Sequence, residues 1–277
     1  MLMFFSFHSK RAQGRRQAAA PKFLVLRRRT LTLCAALAAA AAIFGAVNMP
    51  AAVRASAATR QLPIYCVERD QKVCSISFDA AWGADNTQKI LDVLSDYGIA
   101  CTFFVVGNWA DQYPEQAQAI VESGNELMNH SNAHDHYNAL TAEQIIADVN
   151  TCSDKIEALT GVRPTLIRCP FGEYDDHVIS AIRSIGMEPI QWDVDSLDWK
   201  GISAAEITKR VIGKVENGSI VLFHNAGEHT PEALPGILDA LLQEGYEIVP
   251  ISKLLLTGTE TYIDHTGRQC RSTGNEK

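Results

Sequence analysis

Residues 73–106 read VCSISFDAAWGADNTQKILDVLSDYGIACTFFVV, and this stretch decides the fold. The apolar run Val73–Phe78 predicts a strand, and Cys101–Val106 predicts a second one. Between them, apolar residues recur at helical spacing over Asn86–Tyr97, and Gly98 follows at the position where a glycine commonly ends a helix. The stretch therefore predicts a strand–helix–strand unit.

The same alternation of short apolar runs and amphipathic segments continues along the chain. Further strands are predicted over Glu126–Asn129, Thr165–Arg168, Glu188–Val194, Ser219–His224 and Glu247–Val249, with helices between them. Seven strands that alternate with helices imply a parallel sheet with right-handed crossovers. In about 180 residues we expect an α/β fold, a distorted (β/α) barrel that is closed or nearly closed. An open doubly wound sheet is the alternative.

The N-terminal segment differs in charge from the rest of the chain. Of the 25 Lys and Arg residues, ten lie within residues 1–60, which contain no acid, whereas residues 61–277 carry the other 15 against all 32 Asp and Glu. An uncharged apolar run, Leu31–Val47, follows the basic residues, an order that predicts export across a membrane. Ala55-Ser56-Ala57 has the small-x-small pattern of a signal-peptidase site, so the segment is either a cleaved signal peptide or an uncleaved anchor.

These observations predict a division of the chain into five parts. They are a basic region 1–30, a signal peptide or membrane anchor 31–57, a linker 58–72, a globular domain 73–256 and a polar C-terminal tail 257–277. The acidic body argues against a nucleic-acid partner, because phosphate binding needs clustered positive charge. Six cysteines lie beyond the apolar run, and Cys66 and Cys270 flank the domain where a disulfide could tie its ends.

Polar side chains collect at the carboxyl ends of the predicted strands. They are Asp79, His130, His134, Arg168, Asp195, Asp198 and His224. In a parallel α/β fold these ends face one rim, where active sites form, so the bias predicts an enzyme. His130 and His134 stand four residues apart, a spacing that in a helical turn aims both imidazoles at one point, as ligation of a metal ion such as Zn²⁺ requires.

Five motifs, SFDAAWG, HSNAH, RCPFG, DSLDW and LFH, occur in this order over roughly residues 70–255. The set resembles the polysaccharide deacetylases, the NodB-homology or carbohydrate esterase family 4 enzymes. The resemblance implies an exported hydrolase that uses a divalent metal, Zn²⁺ or Co²⁺ or a similar ion, to remove acetyl groups from an N-acetylated cell-wall polysaccharide. SFDAAWG, together with the export segment, is most similar to the sporulation-associated branch that acts on peptidoglycan.

The resemblance also implies a role for each matching residue. Asp79 matches the general base, Arg168 the arginine that orients it, and His224 the general acid. Asp195 or Asp198 matches the carboxylate that tunes the catalytic histidine. The remaining matches are the metal-binding His130 and His134, the Phe171 backbone N–H as oxyanion donor, Trp199 as the adjoining hydrophobic wall, and Leu222 as a lining residue of the acetate pocket.

Ala80 departs from the family pattern, because the family has a metal-binding Asp at this position. A methyl group cannot ligate a metal. Three consequences of the missing ligand are open. Asp85 in the following GADNT segment could replace it, or an extra water could occupy its coordination position. Otherwise the metal is bound weakly and activity is low or lost. The competing functions are therefore an exported N-deacetylase, a glycan-binding protein on a decayed enzyme scaffold, and a different exported amidase or esterase that uses the same site.

Overall fold

The computed structural model describes Leu37, Ala39 and residues 60–258 and 260–272. The segment predicted to export or anchor the chain, residues 31–57, lies outside this part apart from its two described residues. No helix among the described residues has the length and apolar character needed to span a bilayer.

The central sheet contains seven parallel strands in the order β6–β5–β4–β3–β2–β8–β7. Their bounds are β2 Val73–Ala80, β3 Thr102–Val105, β4 Glu126–Asn129, β5 Leu166–Ile167, β6 Glu188–Pro189, β7 Val194–Asp195 and β8 Ile220–His224. A short strand, β9 (Glu247–Ile248), pairs with the start of β2. The curled sheet is a half-barrel, which confirms the predicted α/β barrel-type fold.

Helices on the outside cover the sheet. They are α1 Thr87–Tyr97, α2 Gly107–Gln112, α3 Pro114–Glu122, α4 Ala142–Thr160, α5 Asp176–Ser184, α6 Ala204–Ile212, α7 Thr230–Gln243 and α8 Ile251–Leu254. Strand β2 explains how the two layers are built, because its side chains alternate in direction. Ile76, Phe78 and Ala80 belong to the largest apolar core. Ser77 and Asp79 point the other way, toward the polar interior of the sheet.

The predicted strand Glu188–Val194 is two short strands at opposite edges of the sheet. β6 pairs with β5, and β7 pairs with β8, so the four residues between them cross from one edge to the other. Ile64 lies alongside this crossing: its N–H donates to the Pro189 carbonyl, and its carbonyl accepts from Gln191. Irregular backbone therefore connects the two edges of the curled sheet, and no periodic pattern reveals it.

The segments expected to be a linker and a tail contain a second sheet. β1 (Cys66–Val67), β10 (Thr261–Ile263) and β11 (Arg268–Arg271) form three strands in the order β1–β11–β10. The two ends of the domain are thus joined by backbone hydrogen bonds. A disulfide does not join them, because all six cysteines of the described part are free thiols.

Candidate active site

The predicted site residues meet at the carboxyl ends of the parallel strands. Asp79 and His224 are register partners on the neighbouring strands β2 and β8. They open into a cavity of about 610 Å³, within the range of small-molecule sites. Its walls include Asp79, Ala81, Trp82, His130, His134, Phe171, Trp192, Asp195, Trp199, Leu222 and His224.

Asp79 forms a buried ion pair with Arg168. The Arg168 Nη1 donates to Asp79 Oδ1 at 2.7 Å, and Nη2 donates to Ser77 Oγ and the Gln191 carbonyl. Arg168 is 0% exposed. Burial raises the pKa of Asp79, but the charges of Arg168, His130 and His224 and the hydrogen bond from Arg168 outweigh it, and the net pKa is below its usual value. The carboxyl is therefore ionised and its second oxygen faces the cavity region near His130.

His224 is supported by Asp198. The His224 Nδ1 donates to Asp198 Oδ1 at 2.8 Å, while Asp198 Oδ2 accepts from the His224 backbone N–H and from Thr230 Oγ1. Burial lowers the pKa of His224, but the hydrogen bond and charge of Asp198, with the charges of Asp79 and Asp195, raise it above its usual value overall. An imidazolium with its Nε2 toward the cavity is the arrangement of a general acid.

The structure distinguishes the two aspartates between which the sequence left a choice. Asp198 is the partner of His224, whereas Asp195 Oδ1 accepts from the Leu197 backbone N–H and the side chain lines the cavity wall. Leu197 has a φ of 58°, and this left-handed turn directs the chain so that Asp198 reaches His224. A left-handed conformation at a non-glycine residue costs free energy and is concentrated at functional sites.

His130 and His134 lie side by side on the loop after β4, with ring centroids 5.0 Å apart. The His130 Nδ1 donates to the Arg168 carbonyl at 2.7 Å, so Nε2 carries the lone pair of the ring. The Nε2 atom lies 3.6 Å from Asp79 Oδ2. His134 Nδ1 is buried and has no hydrogen-bond partner among the residues that the structure describes. Burial and the neighbouring His130 lower the pKa of His134 to about 4, so its imidazole is neutral, the form that binds metal ions.

The metal ligands expected from the family are present only in part. Ala80 is fully buried among the outward-facing apolar side chains, and Asp85 is exposed and is not part of the cavity wall. Across residues 60–258 and 260–272, no three His, Cys, Asp or Glu side chains are gathered so that they could hold a metal ion. The residues therefore supply two imidazoles but no complete three-ligand site, and we assign no catalytic step to an ion.

Aromatic rings form much of the cavity rim. The His134 ring lies edge-on between Trp82 and Phe171, with centroids 4.7 and 4.4 Å away. His136 stacks on Phe171 at 4.2 Å, and its Nδ1 contacts Glu173 at 2.9 Å. Phe171 has a φ of 58°, so its backbone is also held in the left-handed region. Trp199 and Leu222 line the same cavity, as the resemblance implied.

Four residues of the site were missed by the sequence analysis. Ser77 contacts Arg168, Thr230 contacts Asp198, Gln191 donates to the Gly172 carbonyl, and Trp82 forms part of the rim. Strand alternation signals Ser77, because it stands two residues before Asp79 and shares its face. Thr230 and Gln191 are brought in from distant segments, and no local pattern marks them.

Comparison with known proteins identifies the family of this chain. The family model of polysaccharide deacetylases matches residues 67–190. Peptidoglycan-N-acetylmuramic acid deacetylase PdaC of Bacillus subtilis strain 168 is 34% identical over 188 residues, which are 68% of this chain and 40% of PdaC. The chain thus spans less than half the length of that relative.

Solved structures agree with this assignment. The structure of PdaC from Bacillus subtilis aligns with a TM-score of 0.62 at 34% identity, covering 68% of this chain and 92% of that one. BA3943 of Bacillus anthracis, described as a CE4 family pseudoenzyme, aligns with a TM-score of 0.67 at 30% identity, covering 69% and 68% of the two chains. A BA3943 mutant described as having restored enzymatic activity aligns equally well, at 31% identity. The chain belongs to the polysaccharide deacetylase family, carbohydrate esterase family 4.

Proposed function

We propose that the chain removes acetyl groups from the N-acetylated sugars of a cell-wall glycan. One observation carries the proposal: two supported proton-transfer groups, Asp79 with Arg168 and His224 with Asp198, face the same cavity from adjacent strands. Amide hydrolysis needs a base to activate water and an acid to protonate the leaving amine, and this pair supplies both.

The two groups have pKa shifts in the directions that these roles require. The pKa of Asp79 is lowered, so its carboxylate is ionised and accepts the proton of the attacking water. The pKa of His224 is raised, so its imidazolium persists nearer to neutral pH and donates a proton to the sugar amine. The Phe171 backbone N–H is our proposed donor to the oxyanion that forms on the carbonyl oxygen.

The substrate class is taken from the relatives. PdaC of Bacillus subtilis is named a peptidoglycan-N-acetylmuramic acid deacetylase, and a further relative from Bradyrhizobium a chitooligosaccharide deacetylase. We infer that the substrate here is likewise an N-acetylated polysaccharide of the peptidoglycan type. The protein would then act outside the cytoplasm, anchored or secreted. Dependence on Zn²⁺ and a role in sporulation stay predictions.

The test is a substrate panel with the purified full-length protein. N-acetylglucosamine oligomers, isolated peptidoglycan and O-acetylated xylan are each incubated with Zn²⁺ or Co²⁺, and released acetate is measured. We expect acetate from the N-acetylated glycans. Release from the O-acetylated xylan alone indicates a different esterase, and no release from any glycan by folded protein contradicts the proposal.

A second candidate is a glycan-binding protein without catalysis. Ala80 supports it, because the third metal ligand of the family is missing, and BA3943, a relative of similar fold, is described as a pseudoenzyme. This candidate predicts that glycan oligomers bind with the same Kd in chelator and in Zn²⁺, without release of acetate. Isothermal titration under both conditions separates the two candidates.

A further inference from the structure

Three of the seven large apolar side chains that are exposed within residues 60–258 and 260–272 surround a single cavity. Trp82 is 63% exposed, Trp199 is 58% exposed and Phe171 is 51% exposed, and all three line the candidate active site. Exposed apolar side chains that are scattered singly need no explanation, but a cluster on a cleft marks a binding surface. Aromatic rings with an open face suit the apolar faces of sugar rings.

Of these three rings, Trp82 has the least covered surface. Phe171 is stacked face to face with His136, and the Lys200 ammonium lies 4.9 Å over the Trp199 ring. Within the described residues, the Trp82 ring contacts the His134 ring in a T-shaped arrangement. With 63% of the side chain exposed, the indole keeps open surface at the cavity rim.

Two side-chain hydrogen bonds to the next residue hold the backbone that carries Trp82. The carbonyl of the next residue, Gly83, accepts from the indole Nε1 of the buried Trp109 at 2.7 Å and from Asn225 Nδ2 at 2.8 Å. Gly83 has a φ of 61°, which ends the strand in a tight turn. An exposed aromatic ring on a rigidly held turn loses little conformational entropy when a ligand covers it. Such preorganised rings are the ones that contribute most at binding sites.

We propose that Trp82 is a stacking platform for a sugar ring, and that it makes the cavity select polymers of N-acetylated hexosamine over short fragments. The proposal rests on the proposed function of the same cavity. Asp79 and His224 hold the acetamido group at the bottom, while the Trp82 face at the rim takes a ring on one side of the reacting sugar. A hexamer can cover both sides at once, whereas a dimer covers the Trp82 side in only one of its two binding registers. The contribution of Trp82 therefore grows with the number of sugars bound.

The experiment compares chain lengths in Trp82→Ala and Trp82→Phe. Binding of the N-acetylglucosamine dimer and hexamer to the full-length protein is measured by titration before measurable acetate has been released, and KM and kcat are then measured for both. We expect Trp82→Ala to raise Kd and KM for the hexamer about tenfold, with a smaller change for the dimer and little change in kcat. Trp82→Phe should recover most of the hexamer affinity, because it keeps an aromatic face.

Val162→Ala is the matched control, because Val162 is 60% exposed and is not part of the cavity wall. We expect it to bind both oligomers as the unaltered chain does. Equal losses for dimer and hexamer in Trp82→Ala would mean that the indole only supports His134, and would overturn the proposal. Failure of Trp82→Phe to recover binding, or no preference for the hexamer in the unaltered chain, would also overturn it.

These outcomes are separable from failure of the proposed function. If the unaltered chain binds the hexamer through Trp82 but releases no acetate, the hydrolytic function fails and the platform stands. If the unaltered chain releases acetate and Trp82→Ala behaves identically with both oligomers, the platform fails and the hydrolytic function stands.

Discussion

The two halves of the candidate active site differ in how completely they are built. The proton-transfer half, on β2, β8 and the loops after β5 and β7, has Asp79 hydrogen-bonded to Arg168 and His224 hydrogen-bonded to Asp198. Asp79, Arg168 and Asp198 are buried, and the His224 side chain is 27% exposed. The ligand half, on the loop after β4, has two neutral imidazoles, and His134 Nδ1 has no hydrogen-bond partner among the described residues. The position of the family's third metal ligand, at the end of β2, is occupied by the methyl group of Ala80. The chain therefore keeps the groups that we propose to move protons and has no carboxylate at position 80.

Because the two halves differ in this way, variants can test proton transfer and metal affinity separately. Proton transfer depends on pKa values that the protein itself sets through Arg168 and Asp198. Metal affinity depends on the number and charge of the ligands, and here a carboxylate is missing. We infer that variants in the first half change the rate and its pH dependence, variants at His130 and His134 change chiefly metal binding, and variants at Ala80 change chiefly stability.

Asp79→Asn should have the largest effect. The amide cannot accept the proton of water, so acetate release should fall by about 10²- to 10⁴-fold. Initial rates on N-acetylglucosamine oligomers measure this. Asp85→Asn is the control, because Asp85 is exposed and is not part of the cavity wall, and its rate should be unchanged. A rate for Asp79→Asn within tenfold of the unaltered chain would exclude Asp79 as the base.

Arg168→Met should cost about 3–5 kcal/mol of unfolding free energy, because it leaves the buried Asp79 carboxylate without its partner. Urea unfolding at neutral pH measures the loss. Because the folded pKa of Asp79 is lowered, the ion pair contributes stability above the unfolded pKa, and the deficit should shrink as acid protonates Asp79. Arg163→Met removes two exposed ion pairs, with Asp154 and Glu157, and should cost at most about 1 kcal/mol for each. Equal costs for the two variants would refute the special role of Arg168.

Asp198→Asn should lower the rate about tenfold near neutral pH by changing the titration of His224. Asp198 helps to raise the pKa of His224, so its loss lets the imidazolium deprotonate at lower pH. The alkaline limb of the pH–rate profile of Asp198→Asn should therefore move to lower pH. The stability that protonated His224 contributes to the fold should also be lost at a lower pH in the variant than in the unaltered chain. Asp195→Asn should move the limb less, because Asp195 lacks a hydrogen bond to His224. An unmoved limb in Asp198→Asn would contradict the assignment.

Ala80→Asp should have the smallest effect on acetate release and should act chiefly on stability, because the Ala80 side chain faces the apolar core and is not part of the cavity wall. In chelator the new carboxylate is buried beside apolar side chains and should cost about 1–3 kcal/mol of unfolding free energy. Thermal unfolding with chelator and with Zn²⁺ measures this. Ala80→Ser is a smaller polar control. An Ala80→Asp variant as stable as the unaltered chain in chelator would show that position 80 is not enclosed by the core.

Much of the fold follows from local patterns. Strands such as Ile220–His224 are buried, so they stand out as apolar runs between amphipathic helices. The split of residues 188–194 between two sheet edges was not predictable, because it depends on how far the sheet curls. The strand Arg268–Arg271 was hidden for a related reason: it is polar and short, and it gains its place by pairing with Cys66–Val67 from the other end of the domain.

The sequence predicts those site residues that lie at the carboxyl ends of parallel strands, because these ends converge at one edge of the sheet. The motif residues Asp79, His130, Arg168 and His224 come together because each follows or ends a parallel strand. The choice between Asp195 and Asp198 needed the left-handed turn at Leu197, which sequence does not signal. The position of Ala80 was visible as a departure from the family, but its side-chain direction required the structure.

The most direct test of the central claim is to measure acetate release by the unaltered chain and by the Ala80→Asp variant. Both are assayed first with a chelator and then at Zn²⁺ concentrations that rise to saturation. Because the proton-transfer half is complete, we expect the unaltered chain to release acetate from N-acetylglucosamine hexamer, at a rate that Asp79→Asn lowers by about 10²- to 10⁴-fold. Release by Ala80→Asp alone, with the unaltered chain folded, glycan-bound and inactive at every metal concentration, would contradict the account.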